Sequence, residues 1–334
     1  MSQIILFVYC RGSNRQLSIK NYYYRFLLNQ LIDKTQGCVL LNMANGLWAQ
    51  KGYPFLDSYL TFVKTKYSSE LKNVDFMDDA ERETASKDIN EWVEQKTNDK
   101  IKDILGESDL QSSTRLVLVN AIYFYGDWQT QFEKAGTVTA PFFLSTSEQI
   151  QHLFMNRQGS YNYYEDSKIK AIELPYKDSK ASMVIFLPNN KDGIAEFEKS
   201  VDYNYYQKVI DAFKSNEVRT SIPKFQITCK FTLAKTLSTM GMGVAFTGAA
   251  DFSGMTGNRD FFISKVIHQS FINVDEKGTE AAAATVVMMD KSAMRIPNEV
   301  RVFKADHPFL FVIKENSTGS ILFMGKIMKP EVSK

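Results

Sequence analysis

The chain has 334 residues, 44% apolar and 13% aromatic, which is enough to bury a sizeable core and excludes a disordered polypeptide. Its 40 basic and 38 acidic residues leave a net charge of +2, and no predicted element carries Lys and Arg interleaved with aromatics, so no nucleic-acid partner is expected. The three cysteines, Cys10, Cys38 and Cys229, are far apart and odd in number, and no CxxC occurs, which argues against a disulfide framework and against a zinc site.

In chain order, the opening MSQIILFVYC holds a short apolar run, residues 4–10, that reads as a buried strand. It lacks a basic start and a small-residue cleavage site, so it makes a poor secretory signal, and it is too short to span a membrane. No later segment approaches that length, and no membrane partner is expected. Residues 88–105 place Ile89, Trp92, Val93, Ile101, Ile104 and Leu105 at helical spacing. With Ser86 as N-cap and Gly106 just past the end, they predict an amphipathic helix. Residues 116–124, LVLVNAIYF, form a continuous apolar run, the pattern of a strand buried on both faces. Asn120 inside it needs a polar partner, because a lone buried amide costs about 1–3 kcal/mol.

Residues 183–187, before Pro188, read as another buried strand, 220–231 as one or two strands around Pro223, and 231–240 as a helix stopped by Gly241. Residues 300–303, 309–313 and 321–327 read as strands, the last two joined by a turn at 316–319. The Asn316-Ser317-Thr318 sequon inside that turn is read as turn chemistry rather than as a glycosylation site. Helices dominate the first third and strands the second half. With no repeats and no Pro-, Gly- or Ser-rich linker, the class is α+β in one unit spanning 1–334, not a regular βαβ array.

Little in the chain suggests catalysis. His152, His268 and His307 lie in no HExxH motif, and no GxSxG nucleophile elbow is present. Gly241-Met242-Gly243 with Gly248 has the wrong spacing for a dinucleotide loop. Residues 319–326 have one residue too many for a P-loop, and Ile327 stands where Ser or Thr must hold magnesium. Both sets read as turn glycines, and the Asp78-Asp79 pair as solvated surface. No catalytic residue, cofactor or metal is expected. His268, in the apolar SKVIHQSF, reads as a core histidine satisfied by a hydrogen bond, with Asn120 as the candidate partner.

One stretch resists assignment. EKGTEAAAATVVMMDKSAMRIPNE, residues 276–299, joins strong helix formers to strand formers. Taken alone it reads equally well as a short Ala-rich surface helix or as a strand. As a strand, Thr279, Ala281, Ala283 and Thr285 line one face and Glu280, Ala282, Ala284 and Val286 the other. The first set is small throughout. Gly278 is read as supplying a bend.

The landmarks together resemble the serpin family of serine protease inhibitors. Asn120-Ala-Ile-Tyr-Phe124, Gly126, Trp128, Phe132, Thr137 and Phe142 are similar to its central signature. Glu173-Leu-Pro-Tyr176 with Ser182-Met-Val-Ile-Phe-Leu-Pro188 resembles the segment that follows. Ile263-Ser-Lys-Val-Ile-His268, the 276–285 stretch and Asp306-His-Pro-Phe-Leu-Phe311 resemble the hinge and its flanks, and Gly325-Lys326 before Pro330 the family's ending. The match runs in order from about Asn42 to Pro330. It implies a large central mixed β-sheet, smaller sheets, flanking helices and an exposed reactive-centre loop, here 276–299. Its hinge would be Glu276, Gly278, Thr279, Glu280, Ala281, Ala282, Ala283, Ala284 and Thr285, with Asn120 and His268 bonded where the sheet parts.

The implied function is suicide-substrate inhibition: a serine protease cuts the loop, and the loop inserts as a strand with the enzyme trapped. Counting from Glu276 as the family does puts the cut at Ser292–Ala293. One residue earlier, Lys291–Ser292 suits a trypsin-like protease, whose specificity pocket carries an aspartate, and is preferred. Arg295–Ile296 comes third. The alternative function is a non-inhibitory binding or storage protein on the same fold. Residues 1–20 do not match the family's opening helices, and its Asn-Phe-Phe-Ser-Pro-like motif is absent. The expected protein is a monomer of the intracellular, ovalbumin-like branch, cytoplasmic or released non-classically.

Overall fold

Most of the apolar and alternating runs form strands. The structure, a computed structural model, describes residues 39–67, 69–106, 108–259, 261–279 and 300–332. In chain order the strands are β1 (Val39–Gln50), β2 (Glu70–Val74), β3 (Leu116–Asp127), β4 (Val138–Phe143), β5 (Gln149–Glu165), β6 (Ile169–Pro175) and β7 (Ala181–Pro188). They continue with β8 (Lys214–Pro223), β9 (Phe225–Thr232), β10 (Lys265–Val274), β11 (Gly278–Thr279), β12 (Arg301–Lys304), β13 (Phe309–Glu315) and β14 (Ile321–Ile327). The helices are α1 (Asp57–Tyr67), α2 (Asp79–Lys96), α3 (Ile194–Ser200), α4 (Tyr203–Asp211) and the short α5 (Ala234–Leu237) and α6 (Ser253–Thr256). The described residues group into two compact units. One comprises the described parts of Leu40–Phe124 and Thr228–Phe271, the other Val39 and the described parts of Tyr125–Ile227 and Ile272–Lys334.

In the first unit β1 runs parallel to β2 and lies beside β3, which pairs in parallel with β10, and β9 follows. The predicted strand at 116–124 is the body of β3, and its almost unbroken burial fits the apolar run. Leu47 and Leu116 of the strands pack with Tyr59 and Val63 of α1 and with Phe252 and Phe261. The predicted helix over 88–105 is displaced. α2 begins at Asp79, because the Asp78 side chain accepts from the Glu81 N–H as an N-cap, so one of the two aspartates read as bare surface has a structural task. The helix ends before Thr97, and Asn98 and Asp99 take left-handed backbone with φ of 52° and 58°. Ile101, Ile104 and Leu105 are buried all the same, in the loop that follows. Their spacing reported burial, not helical hydrogen bonding. The predicted helix over 231–240 shortens to α5 and a turn in which Gly241 has φ 98°.

In the second unit the strands follow the order β12-β8-β5-β6-β7-β13-β14, with β4 against β5. Ile169, Val184 and Phe186 pack against Phe197 of α3 and Tyr206 and Val209 of α4. β5, 17 residues long, has no counterpart in the sequence reading, because its polar and apolar residues alternate irregularly. The β13–β14 turn was expected, and Gly319 takes φ 70° there. Asn316 in that turn is fully engaged. Its Nδ2 donates to Ser179 O (3.0 Å) and Ser182 Oγ (2.9 Å), and its Oδ1 accepts from Lys314 Nζ (2.8 Å). Lys314 in turn pairs with Glu173 at 2.8 Å. Asn316→Ala should therefore lower stability by about 1–2 kcal/mol, read as a lower urea midpoint at unchanged m-value. An unchanged midpoint would show that these three bonds contribute nothing net.

Candidate functional site at the hinge strand

β10 ends at Val274 in the second unit, and the chain turns through Asp275, Glu276 and Lys277 into β11. The turn is closed by Asp275 N–H to Gly278 O (2.9 Å) and by Lys277 N–H to the Asp275 carboxylate (2.9 Å). β11 then lies antiparallel to both its neighbours: Thr279 pairs with Val274 of β10, and Gly278 and Thr279 pair with Asp127 and Gly126 of β3. Gly278 is glycine for a reason other than the bend expected of it. The bend falls at Glu276 and Lys277, whereas a Cβ on Gly278 would lie 2.0 Å from Gly126 O. Only a residue without a side chain lets β11 come this close to β3.

The segment 128–132 grips the turn from its outer edge. The Trp128 N–H donates to Lys277 O (2.8 Å), its Nε1 to Asp275 O (2.9 Å), and the Phe132 N–H to Glu276 O (2.8 Å). Trp128 stacks on Tyr176, with centroids 4.7 Å apart and planes within 9°. The fully buried Tyr176 bonds Thr279 through the two hydroxyls at 2.8 Å. Thr279 itself has no exposed surface.

Glu276 is the charged centre of this turn and is only 6% exposed. It accepts from Lys224 Nζ at 2.9 and 3.2 Å and from Thr137 Oγ1 at 2.8 Å. Burial alone would raise its carboxyl. The bonds from Lys224 and Thr137 and the Lys224 charge outweigh burial and hold it below the ordinary carboxylate range. The neighbouring Asp275 is raised by burial. Lys134, Thr137, Lys224, Asp275, Glu276 and Lys277 line a cleft of about 360 Å³.

The other predicted pair lies in the first unit. Asn120 of β3 and His268 of β10 are ladder partners, and His268 Nδ1 donates to Asn120 Oδ1 at 2.6 Å. Asn120 Nδ2 donates to Asn45 Oδ1 at 2.5 Å. The imidazole stacks on Phe231, with planes 12° apart. Burial pushes the imidazole down to about 4, against the opposing effect of its bond to Asn120, so it is neutral at pH 7 with its proton on Nδ1. β3 and β10 pair directly here, residues 117–123 with 265–271, so no strand lies between them.

Of the residues singled out from sequence, Glu276, Gly278, Thr279, Asn120 and His268 are placed as described. Glu280, Ala281, Ala282, Ala283, Ala284, Thr285, Lys291, Ser292 and Ala293 lie outside the described residues, as do residues 1–20. Lys224, Tyr176, Trp128 and Asn45 were not assigned these roles from sequence. The other histidines have structural partners: His152 Nε2 donates to Lys224 O (2.5 Å), and His307 is held between Asp306 and Pro188 O. Among the described residues no group of acidic, His or Cys side chains is arranged to hold a metal, and no helix is long and apolar enough to cross a membrane.

A family model described as Serpin (serine protease inhibitor) matches residues 15–330. The human leukocyte elastase inhibitor is 39% identical over 323 residues, covering 94% of this chain and 84% of its own length. A serpin-like protein of Methanosarcina acetivorans is 42% identical over 311 residues, covering 91% of this chain and 71% of its own. The crystal structure of uncleaved ovalbumin superposes with a TM-score of 0.81 at 29% identity, covering 92% of this chain and 78% of that one.

Two measurements test the hinge and the pair. Glu276→Gln keeps the shape of the carboxylate but removes its charge opposite Lys224, and should cost about 2 kcal/mol of stability at pH 7. An unchanged melting midpoint would mean the pair contributes nothing. For His268, a folded value of about 4 lies below the ordinary 6.5, so its contribution is complete above pH 6.5 and is lost as pH falls toward 4. The full loss is about 3 kcal/mol. The wild-type stability curve should slope across that window and His268→Gln should flatten it; parallel slopes would remove His268 as the cause.

Proposed function

The chain belongs to the serpin family of serine protease inhibitors, and from that premise we propose that it inhibits by inserting its own cleaved loop. A target protease attacks a bond within residues 276–299. Its serine forms an ester with the new carboxyl end, and the amine of the following residue leaves. The segment from Gly278 onward then joins the sheet between β3 and β10, carrying the acyl-enzyme with it.

The observation that carries this reading is β11, which is already antiparallel to both strands. Extending its register along β3 from Gly126 sets Thr285 level with Asn120. Extending it along β10 from Val274 sets the same residue level with His268. Asn120 and His268 are ladder partners, so the two counts agree on one place. Every second residue from the buried Thr279 would face the same side, namely Ala281, Ala283 and Thr285. All are small enough to enter a closed sheet. The Thr285 hydroxyl, both donor and acceptor, suits the Asn120 amide and the His268 imidazole that insertion would separate. A binding or storage protein would have no use for this run.

For the target, Lys291 before the bond Lys291–Ser292 favours a trypsin-like enzyme. A second reading comes from the relatives named leukocyte elastase inhibitors. An elastase-type pocket takes a small side chain, which fits Ser292 and the bond Ser292–Ala293. No cofactor is required for either, and the acting form is a monomer.

The full chain mixed with trypsin or with elastase should give a covalent band that survives boiling in detergent. The mass of the released C-terminal peptide then chooses between Ser292 and Ala293 as its first residue. Ala281→Arg should cut the covalent yield at least tenfold while cleavage continues. Clean cleavage by both enzymes without such a band would overturn the inhibitory reading.

A further inference from the structure

In the second unit, the segment 128–132 that grips the hinge turn also walls a separate small pocket. Its volume is about 120 Å³, close to the ~150 Å³ of apolar cavities that take up benzene. Trp128, Phe132, Tyr161, Leu174 and Pro175 supply apolar lining, and all but Pro175 are more than nine-tenths buried. Arg157 is the only charged residue lining it.

That guanidinium is half-exposed and bonds the backbone rather than an acid. Nη1 donates to Thr130 O at 2.8 Å, and the group lies 5.6 Å from the centre of the Tyr161 ring. Among the described residues no carboxylate pairs with it. A guanidinium without a carboxylate partner and an aromatic wall thus meet at one pocket of single-ring size. Arginine favours carboxylates through its planar fork of donors, and aromatic walls favour a flat ring.

We propose that this pocket binds a small aromatic monocarboxylate, with the carboxylate on Arg157 and the ring against Trp128 and Phe132. The site uses no residue of the reactive loop, so it stands whether or not the chain inhibits a protease. Its wall is the segment whose Trp128 and Phe132 hold the turn at Asp275, Glu276 and Lys277. An occupant would therefore brace the hinge in its present form and slow strand insertion.

The test uses the full chain with phenylacetate, its neutral isostere phenylacetamide, and acetate as a control for general anion effects. Phenylacetate should raise the melting midpoint by about 2 °C at tenfold excess over its Kd, and the other two should give less than a third of that. Saturation-transfer NMR at room temperature should show phenylacetate bound to wild type, more weakly to Arg157→Lys, and at least tenfold more weakly to Arg157→Gln. Equal effects from phenylacetamide, undiminished binding to Arg157→Gln, or no saturation transfer to phenylacetate would each overturn the proposal. The isostere comparison needs no variant, so it decides the matter even if Arg157→Gln fails to fold.

Discussion

A buried carboxylate must have compensation, and the arrangement around Glu276 follows from that requirement. A charge at this depth is tolerable only with a cation and hydrogen-bond donors in place. Lys224 meets it because the chain between β8 and β9 is fixed at that point: the Lys224 N–H donates to Leu153 O and its carbonyl accepts from His152. Thr137 meets it from the start of β4. With the carboxylate held, the turn has one conformation, and β11 leaves it in one register. The stack of Trp128 on Tyr176 carries the same constraint to Thr279.

The sheet around β11 explains why a strand could be added at all. β3 and β10 now share one ladder, and it is parallel. A strand entering between them would replace it with two antiparallel ladders. Parallel pairing is slightly the weaker per residue, so the exchange gains both bonds and geometry. What opposes it is local: the ladder must first open, and the Asn120–His268 bond sits within the paired stretch. A neutral imidazole makes that bond an ordinary one rather than a charge-assisted one, strong enough to order the sheet and weak enough to exchange.

How much of this was legible in the sequence depended on the kind of signal. β3 was visible because burial on both faces leaves an unbroken apolar run, and Asn120 stood out as its one amide. His268 followed as another polar residue in such a run. The Lys224–Glu276 pair left no trace, since two ordinary charges 52 positions apart follow no period. Tyr176 and Trp128 read as core aromatics, and their polar tips gave no hint of what they bond. α2 was displaced because Ile101, Ile104 and Leu105 keep a helical spacing after the helix has ended. Gly278 was read as a bend, but its reason lies on a different strand, at Gly126, which a local reading cannot see.

β11 also bears on timing. Starting a strand is its slow part, since chain must be ordered before the first bonds return anything, whereas each later residue adds bonds to an existing edge. Here Gly278 and Thr279 have already met that opening cost in the uncut molecule. Cleavage would then release a zipper whose slider is engaged, and its speed would be set by how fast the ladder ahead parts. An inhibitor acting as proposed would compete against the hydrolysis of its own acyl-enzyme, and two residues of pre-formed strand would be a head start in that race.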